Sequence, residues 1–410
     1  MSVYSDRLTM DSWLDVGQDN IIKYTISDAV ATWTTTERSW FAAAMAAYEA
    51  VANIDFQEVD ISEAEMVHYK YTDADAAQDA RESELSIPGL DWTGWLDTAG
   101  DYGTVHTPLV GYYISDSDHG GHDHVITPWL IAHELGHGLG LSHPHGSPYD
   151  GHTSTPWPGV TTSSAAGENG FNANHTSVMS YRPYNGGFAQ GPMVFDIEAL
   201  QAMYGANTTT NAGDTTHNLA TGRTATIYDV SGNDTLVGTN GHDIINIAGP
   251  TLDQTANGAG GFSYRTSGGA TGGTAIGPGT VIENVNGGDG DDIIYGNGIA
   301  NTLIGGNGND TISAGAGADS IYGNGGIDDL NLGNDTAADT VYARDLDTVR
   351  NFDSGEDFID LNTLGVDRIW TTGSGTSWML YASTNGYDSV AEIEITLLQS
   401  ERPLSADVLW

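Results

Sequence analysis

The chain has 410 residues, which is long for a single hydrophobic core and favours two domains. Its 55 acidic residues against 12 basic ones give a formal net charge of −43, which makes nucleic acids and anionic membrane surfaces poor partners. The chain contains no cysteine, so disulfide bonds and a thiol nucleophile are both excluded.

The excess of carboxylates has two explanations. The carboxylates are ligands for cations that neutralise them, or they form a solvated surface suited to salty surroundings that screen their repulsion. Because no disulfide is available, bound cations are the expected source of rigidity in an exported chain. Residues 1–20 lack the basic start and apolar run of a secretory signal, and no apolar stretch is long enough to span a bilayer.

Residues 1–205 mix helix and strand patterns, which predicts an α+β domain. An Ala-rich amphipathic helix is predicted at residues 36–53 and a later helix at 194–204. The predicted strands are residues 21–26, 54–59, 66–71 and 110–114. Residues 1–19 precede the first strand and are assigned as an extension or a short propeptide.

A histidine-rich loop at residues 116–124 precedes the central helix and contains His119, His122 and His124. These side chains bind a second metal or belong to an exposed loop, and the Gly/Asp-rich surroundings favour the loop. The same interpretation is given to His145 and His152.

The central helix carries a metal-binding motif. Thr127 and Pro128 suit its N-cap and its first turn. His133 and His137 are four residues apart and share one helical face, so both imidazoles can reach one ion. Glu134 lies beside them and can take a proton from water that a metal activates. This H-E-x-x-H arrangement is typical of hydrolytic zinc sites.

The motif extends to the longer pattern H-E-x-x-H-x-x-G-x-x-H. Gly140 can adopt the positive φ that ends the helix, which lets His143 return as a third ligand. Three neutral nitrogens leave one coordination position open for water. Downstream, a Ser-Val-Met-Ser-Tyr segment ends at Tyr181 and places Met179 as a floor beneath the site. Alone, such a methionine is an ordinary core residue, but the three-histidine pattern favours a Met-turn.

Residues 206–410 are assigned to a second, all-β domain that begins with a linker at residues 205–214. Residues 287–295 fit the nonapeptide G-G-x-G-x-D-x-U-x, where U is a large aliphatic residue, and two looser turns at 229–237 and 238–246 precede them. After Asn331 we expect the period to fail and residues 341–410 to form ordinary strands that close the solenoid. The sixth positions of the four repeats that follow the first are Asn301, Asp310, Asp319 and Asp328.

The stacked repeats predict a calcium-binding parallel β-roll, because one repeat cannot bury a face alone. Carboxylates and turn carbonyls supply hard oxygen ligands, and without calcium the facing carboxylates repel, so we expect a disordered roll. The neutral amide of Asn301 is expected to weaken its site. The alternative, a Gly/Asp-rich linker, is disfavoured by the strict register of the apolar positions. The predicted calcium-binding positions are Gly287, Asp289, Asp292, Gly305, Asn307, Asp310, Gly315, Asp319 and Asp328.

Together, residues 133–144, the Ser-Val-Met-Ser-Tyr turn and the repeats resemble the serralysins, the RTX metalloproteases of bacteria in the metzincin clan. The resemblance continues through residues 196–201, 213–215 and 282–284, and it covers most of the chain from about residue 21. It implies an α+β metzincin catalytic domain followed by an all-β calcium-binding parallel β-roll or β-sandwich domain. It also implies a secreted zinc endopeptidase that cleaves extended protein and peptide substrates, with one catalytic zinc and several structural calcium ions.

The resemblance also implies roles for particular residues. Tyr181 is a further zinc ligand that swings away to hydrogen-bond the transition-state oxyanion. A calcium site at the domain junction departs from the family pattern, since Asn211 replaces an arginine and Ser231 replaces a glycine. The residues assigned to that junction site are Gly213, Thr215, Asp229, Ser231 and Asp234.

Export through a type I secretion apparatus with an uncleaved C-terminal signal is implied as well, and residues 407–410 fit that signal loosely. The expected partners are this apparatus, a proteinaceous inhibitor and peptide substrates of a monomeric enzyme. A rival hypothesis is a calcium-dependent adhesion or binding protein with a vestigial zinc domain. The intact set of histidines with Glu134 and Tyr181 argues against it.

Overall fold

We describe the protein from a computed structural model. It comprises two compact units, Met1–Thr210 with Arg223–Tyr228, and Asn211–Gly222 with Asp229–Trp410. The residues that the structure describes are 19–28, 32–72, 109–114, 127–146, 155–248, 261–269, 271–353, 355–364, 366, 368–374, 376–383, 393–398 and 407–409.

The first unit contains a four-stranded parallel sheet. Its strands are β1 (Ile21–Ser27), β2 (Asp55–Glu58), β3 (Met66–Thr72) and β4 (Leu109–Ile114). Their order is β2-β1-β3-β4, and every pairing is parallel. Parallel neighbours need a crossover connection, and helix α1 (Thr35–Val51) supplies the one between β1 and β2.

Helix α1 begins at a capping box, in which Thr34 and Glu37 satisfy each other's backbone N–H groups. Its buried residues recur every three or four positions, as in a helix that covers a core with one face. They are Phe41, Ala44, Met45, Tyr48 and Val51.

Helix α2 (Pro128–Gly138) carries the predicted motif. Its N-cap is Thr127, whose hydroxyl accepts the Leu130 N–H at 3.1 Å, and Pro128 lies in its first turn. Beyond its end, Gly140 has φ of 92°, the left-handed conformation expected there. The start and the end of the central helix therefore follow from its capping residues.

Two buried tyrosines hold α2 along its length. The Tyr48 hydroxyl of α1 donates to the Ala132 carbonyl at 2.7 Å. The Tyr204 hydroxyl of helix α3 (Val194–Tyr204) donates to the Leu139 carbonyl at 2.8 Å. Each hydroxyl satisfies a carbonyl in the buried interior, so these bonds fix the helix that carries the histidines.

The second unit is an all-β coil of two sheets. One sheet has the order β23-β19-β17-β15-β13-β11-β7-β5, and all of its pairings are parallel. The other sheet runs β22-β18-β16-β14-β12-β8 in parallel, with antiparallel β20-β21 and β9-β10 at its ends. The remaining strands of the chain are β5 (Thr216–Asn218), β6 (Arg223–Ile227, within the first unit), β7 (Thr235–Val237), β8 (Asp243–Asn246), β9 (Phe262–Arg265), β10 (Gly272–Ile276), β11 (Asn284–Asp289), β12 (Ile293–Tyr295), β13 (Thr302–Asn307), β14 (Thr311–Ser313), β15 (Ser320–Gly325), β16 (Asp329–Asn331), β17 (Thr340–Tyr342), β18 (Thr348–Arg350), β19 (Phe358–Asp360), β20 (Arg368–Ser374), β21 (Ser377–Ser383), β22 (Ile393–Leu398) and β23 (Val408–Leu409).

Stacked aliphatic residues from successive parallel strands form the core of the coil. Leu303 pairs with Ile321 and Ile312 pairs with Leu330, each pair 18 residues apart, so two nonapeptides make one turn of the coil. All four of these side chains are fully buried. The apolar positions of the repeats therefore supply the hydrophobic core that a single repeat lacks.

The expectation that residues 341–410 form ordinary strands after the period fails holds for β20 and β21, which pair antiparallel, and is wrong for β17, β18 and β19, which continue the coil. Val341 pairs in parallel with Ile321, Val349 with Leu330, and Ile359 with Val341. The offsets between these partners lengthen to 20 and 19 residues before returning to 18, which hides the period in the sequence while the strands keep the same register. The coil thus continues to β22 and β23.

A mixed α/β unit followed by an all-β coil confirms the predicted fold class. Among the described residues, no helix combines the length and apolar character needed to cross a membrane.

Candidate metal centres

The three predicted zinc ligands meet at one point. The Nε2 atom of His143 lies 3.0 Å from the Nε2 atoms of both His133 and His137. All three residues are buried, and α2 supplies two of them while the turn after Gly140 supplies the third. In the described part of the chain, these residues form the His/Cys/Asp/Glu cluster suited to a metal ion.

The hydrogen bonds of the rings decide which nitrogens face inward. His133 Nδ1 lies 3.0 Å from the Val178 carbonyl, and His137 Nδ1 lies 2.7 Å from the Leu141 carbonyl. A carbonyl only accepts, so each Nδ1 carries the proton and each neutral ring presents an Nε2 lone pair to His143. Converging lone pairs repel unless a cation lies among them, so the arrangement fits a zinc ion.

Burial keeps these imidazoles neutral, which is the form that binds metal. Removal from water lowers the pKa of His133 well below its usual range, and the neighbouring His137 and His143 lower it further. Burial also holds the pKa of His143 well below its usual range, and electrostatic interactions with His137 and His145 lower it further. At neutral pH, protons therefore compete only weakly with a metal ion for these imidazole nitrogens.

Two groups with possible chemical roles flank the cluster. Glu134 follows His133 on α2 and is buried. The Tyr181 hydroxyl lies 2.9 Å from His143 Nε2, while 41% of the residue is exposed. Tyr181 therefore reaches from the histidine cluster to solvent.

Met179 packs directly against the helix of the histidines. It is fully buried, and a Cβ atom added to Gly136 would come within 2.7 Å of its sulfur. Only a glycine lets the turn approach α2 this closely. The methionine thus packs on α2 at Gly136, the residue before the ligand His137.

Asp196 at the start of α3 binds the turn that contains Met179. Its carboxylate accepts the Ser177 hydroxyl at 2.7 Å, the Val178 N–H at 2.6 Å and the Met193 N–H at 2.9 Å. Burial raises its pKa to about 7 against the opposing effect of these donors. Since the Val178 carbonyl orients His133, this clamp supports the cluster indirectly. Sequence reasoning missed it because it depends on a contact between distant segments.

His145 lies in a loop, as interpreted, but it is half-buried against the histidine cluster and not exposed. Its ring stacks on His143 at 4.8 Å between centroids and lies 5.3 Å from Tyr181. The turn that returns His143 brings it there, two residues later. The predicted loop of His119, His122 and His124 lies outside the described residues, as does His152.

Two ladders of buried aspartates run along the coil. In the first ladder, the backbone N–H of each aspartate donates to Oδ1 of the aspartate in the next turn, at 2.7–2.9 Å. Its members are Asp243, Asp292, Asp310, Asp328 and Asp347. The second ladder continues in the same way at 2.7–3.0 Å through Asn301, Asp319, Asp339 and Asp357.

The second oxygen of these carboxylates fits a calcium ion. Within the described residues, Oδ2 is buried and has no hydrogen-bond partner in Asp292, Asp310, Asp319 and Asp328. At Asp292, this oxygen faces the backbone of Gly287, where an added Cβ would lie 2.5 Å both from it and from the Gly305 carbonyl. A buried anionic oxygen beside turn carbonyls is a hard-oxygen donor set.

Asn301 fills its position differently. Its amide Nδ2 donates to the Glu283 carbonyl at 3.1 Å and to Asn297 Oδ1 at 3.0 Å. The amide N–H groups thus satisfy these two neighbouring oxygens. A carboxylate at this position has no donor, so the same oxygens would be available to a cation. Weaker calcium binding at this position therefore stays a prediction.

The other predicted repeat positions divide between the interior and the surface. Asp289 and Asn307 are exposed, and Asn307 Nδ2 donates to Asp289 Oδ1 at 2.7 Å. They therefore lie apart from the buried ladders. Gly315 has φ of 105° in a turn beside Asn297.

The residues of the predicted junction site lie together within the second unit. Gly213 N–H donates to the Ser231 carbonyl at 2.7 Å, and Thr215 N–H donates to Asp234 Oδ1 at 2.8 Å. Asp229 accepts the Ser231 N–H at 3.2 Å. Two further groups join them, since His217 lies 2.9 Å from Asp229 and Glu283 Oε2 accepts the Asp234 N–H at 2.7 Å.

Sequence reasoning placed Asp243 in the looser turn at residues 238–246 without a ligand role, and it missed the ladder aspartates Asp339, Asp347 and Asp357. A signal was present, because the last three begin the tetrapeptide D-x-U-x that also follows the glycines of the regular repeats. The glycines, not this tetrapeptide, defined the predicted positions. The two ladders therefore extend further along the chain than the glycine-containing repeats do.

Known proteins match both parts of the chain. A family model for the RTX calcium-binding nonapeptide repeat matches residues 222–246, 279–298, 284–302 and 295–330. Metallopeptidase AprA of Pseudomonas marginalis is 31% identical over 288 residues, which are 65% of this chain and 55% of that protein. Serralysin of Proteus mirabilis is 35% identical over 186 residues, 42% of this chain and 36% of that protein.

The chain is similar to the serralysin-type RTX metalloproteases. The predicted resemblance is confirmed, and so are zinc and calcium as the implied cofactors. This chain spans about half or less of the length of the curated serralysin relatives it matches. A match to the solved AlgE6R3 subunit of Azotobacter vinelandii mannuronan C5-epimerase covers 29% of this chain and 79% of that chain, at 20% identity and a TM-score of 0.23.

The aspartate ladders of this serralysin-like chain predict an unusual pH dependence without calcium. Burial, reinforced by neighbouring carboxylates, raises the pKa to about 7 for Asp292, Asp319 and Asp339, and burial raises it to about 6 for Asp310 and Asp347. An unfolded aspartate titrates near ~3.9, so between about pH 4 and 7 the folded state binds more protons than the unfolded state.

This contribution to stability is present below about pH 4 and is lost as the pH rises through the folded pKa values. We therefore expect the calcium-free chain to gain β-structure on acidification from pH 7.5 to 5, measured by circular dichroism in EGTA. With saturating calcium the trend should reverse, because protons compete for the ligands. A calcium-free chain that loses β-structure steadily over this range would contradict the prediction.

Proposed function

We propose that residues 1–205 form a zinc-dependent endopeptidase domain and that residues 206–410 form its calcium-stabilised RTX domain. The observation that carries the first proposal is the convergence of three imidazole Nε2 atoms beside Glu134. Metallopeptidase relatives support it. His133, His137 and His143 would hold the metal.

A bound zinc ion supplies Lewis acidity, which polarises the scissile carbonyl and lowers the pKa of water. Glu134 acts as general base, accepts a proton from the attacking water and returns it to the leaving amine. Its buried position beside His133 keeps the carboxylate close to the reacting groups. The attack is direct, so no acyl-enzyme forms.

Tyr181 is proposed to donate a hydrogen bond to the developing oxyanion. Its hydroxyl lies 2.9 Å from His143 Nε2, and its exposed ring leaves it room to turn toward a substrate. As the resemblance implies, Tyr181 is also proposed to be a further metal ligand in the resting site.

Tyr181→Phe is expected to lower kcat by about 10²-fold, because one oxyanion donor is lost, while KM changes little. Zinc content should stay near that of the wild type, since three imidazoles remain. Steady-state kinetics on an unstructured peptide, together with metal analysis, checks both statements. Unchanged kcat would rule out the donor role.

The RTX domain is proposed to fold when calcium binds, after export through a type I apparatus from a calcium-poor cytoplasm. The proposed ligands are Gly213, Thr215, Asp229, Ser231 and Asp234 at the junction, with the repeat positions named above. Buried carboxylates that face turn carbonyls support this role. Substrates are protein and peptide segments, and an inhibitor and the export apparatus are the further proposed partners.

Casein hydrolysis tests the proposed activity directly. We expect hydrolysis to stop when EDTA removes metal and to return when zinc is restored in the presence of calcium. Calcium alone should leave the protein folded and inactive. Hydrolysis that survives complete removal of zinc would favour a binding protein with a vestigial zinc domain.

A further inference from the structure

Two tyrosine rings stack against each other on the outer face of the coil. Tyr322 of β15 is the direct partner of Tyr342 of β17 in the parallel sheet. The ring centroids lie 4.0 Å apart and the ring planes differ by 6°. The preceding residues, Ile321 and Val341, are fully buried in the core, whereas both tyrosines are half-buried, as alternation along a strand requires. Two successive turns of the coil therefore meet at these rings.

The strand register holds the tyrosine pair in place. Both strands lie inside the sheet, because β13 pairs with β15 and β19 pairs with β17. Three residues before each ring, the ladder aspartates Asp319 and Asp339 are joined by a hydrogen bond of 2.9 Å from the Asp319 N–H. Neighbouring strands are ~4.8 Å apart, so rings at this centroid distance are in van der Waals contact across the two turns.

Hydrogen bonding and charge couple the two phenols. Burial, followed by a hydrogen bond with Tyr342 and the charges of Tyr342 and Asp360, raises the pKa of Tyr322 to about 12. Tyr322 is therefore a neutral phenol at neutral pH, so its oxidation removes a proton together with an electron. The Asp360 carboxylate belongs to β19, the strand next to β17, and its negative charge favours the loss of an electron from the pair.

We propose that Tyr322 and Tyr342 form an oxidative cross-linking site, at which a peroxidase that uses hydrogen peroxide joins the two rings as dityrosine. Each phenol loses one electron and one proton, and the two radicals form a bond between ring carbons ortho to the hydroxyl groups. The hydrogens on those two carbons then move to the phenol oxygens, which restores both aromatic rings. The two electrons and two protons that are removed reduce one hydrogen peroxide molecule to two water molecules.

The contact between the rings directs this reaction to the pair. Each radical has the other ring already positioned beside it, so coupling within the pair is faster than coupling to a second chain. The chain has no cysteine, so a disulfide cannot join turns of the coil, whereas dityrosine at this place closes a loop of 20 residues. A cross-link restricts the unfolded chain, so the joined coil should withstand a lower calcium concentration.

Peptide mapping of the oxidised full chain tests the proposed site. The dilute, calcium-loaded protein is treated with a haem peroxidase and hydrogen peroxide and is then cut at aspartates, since Asp328 and Asp339 separate the two tyrosines. We expect a linked peptide pair that is two hydrogen atoms lighter than its two parts. Tyr342→Phe should abolish this pair, whereas Tyr381→Phe, which alters a tyrosine stacked on Trp370, should leave it unchanged.

Calcium titration of the linked protein tests the consequence. A loop of this size contributes about 100-fold to the folding equilibrium, shared among several calcium ions, so the calcium midpoint for β-structure should fall about two- to fivefold. Tyr342→Phe protein given the same oxidation should keep its midpoint, which accounts for damage at other residues. Coupling only between chains or at other tyrosines would overturn the proposed site. A linked protein with an unchanged midpoint would overturn its stabilising role.

Discussion

Replacing Glu134 with Gln is expected to lower kcat/KM for peptide hydrolysis by about 10²–10⁴-fold, the usual contribution of a general base. Glutamine keeps the shape of the buried side chain but cannot accept the proton of the attacking water. The rate should be followed with a fluorogenic peptide at saturating zinc and calcium. The loss should appear mainly in kcat, because the side chain acts on the reacting groups.

Two controls show whether the loss of activity in Glu134→Gln comes from the missing general base. Glu168→Gln makes the same chemical change at an exposed position of the first unit and should leave the rate unchanged. Metal analysis should show that Glu134→Gln still binds zinc, since the three imidazoles are intact. A variant that retains zinc and full activity would show that another group accepts the proton.

Removal of calcium is expected to unfold most of the second unit at neutral pH while the first unit keeps its helices. The ladders place buried carboxylates 18–20 residues apart along the chain in hydrogen-bond contact with the next turn, so their charges repel when no cation neutralises them. Circular dichroism during EGTA titration should show loss of β-structure that calcium restores.

A pair of adjacent aspartates provides the matched variants for the calcium experiment. Asp292 is buried in the first ladder, whereas Asp291 beside it is exposed. Asp292→Asn should raise the calcium concentration at the folding midpoint about tenfold, because a charged ligand is lost. Asp291→Asn removes the same charge and should shift the midpoint little. Equal shifts in both variants would mean that only net charge matters.

Local signals allowed the central helix and the repeats to be predicted. Thr127 and Pro128 define the start of α2, and Gly140 has the positive φ that ends the turn toward His143. Helix α3 has the predicted bounds. In the repeats, the aliphatic residues that follow each turn predicted the buried stacks, because alternation along a strand fixes which side chains point inward.

Contacts between distant segments could not be predicted in this way. The buried face of α1 centres on Phe41 and Tyr48, and the Tyr48 hydroxyl hydrogen-bonds to Ala132 of α2, 84 residues away in the chain. Asp196 and Trp129 act at the site through Val178, which is remote from both in sequence. Nothing in their local patterns distinguishes them from ordinary helix residues.

The continuation of the coil beyond Asn331 shows a different limit. Turns of varying length keep strand register as long as one aliphatic residue and one aspartate recur per strand, as at Val349 and Asp347. A search for a fixed nine-residue period loses such turns. The parallel strand pairing, not the spacing, defines where the coil ends.

Zinc content of the full chain tests the central claim most directly. We expect one zinc ion per chain in calcium-containing buffer, with X-ray absorption showing nitrogen ligands at ~2.0–2.1 Å. His143→Ala should abolish stoichiometric zinc binding, whereas His242→Ala, at an exposed histidine of the second unit, should not change it. Wild-type protein without zinc, or a His143→Ala variant that keeps it, would contradict the proposed metal centre.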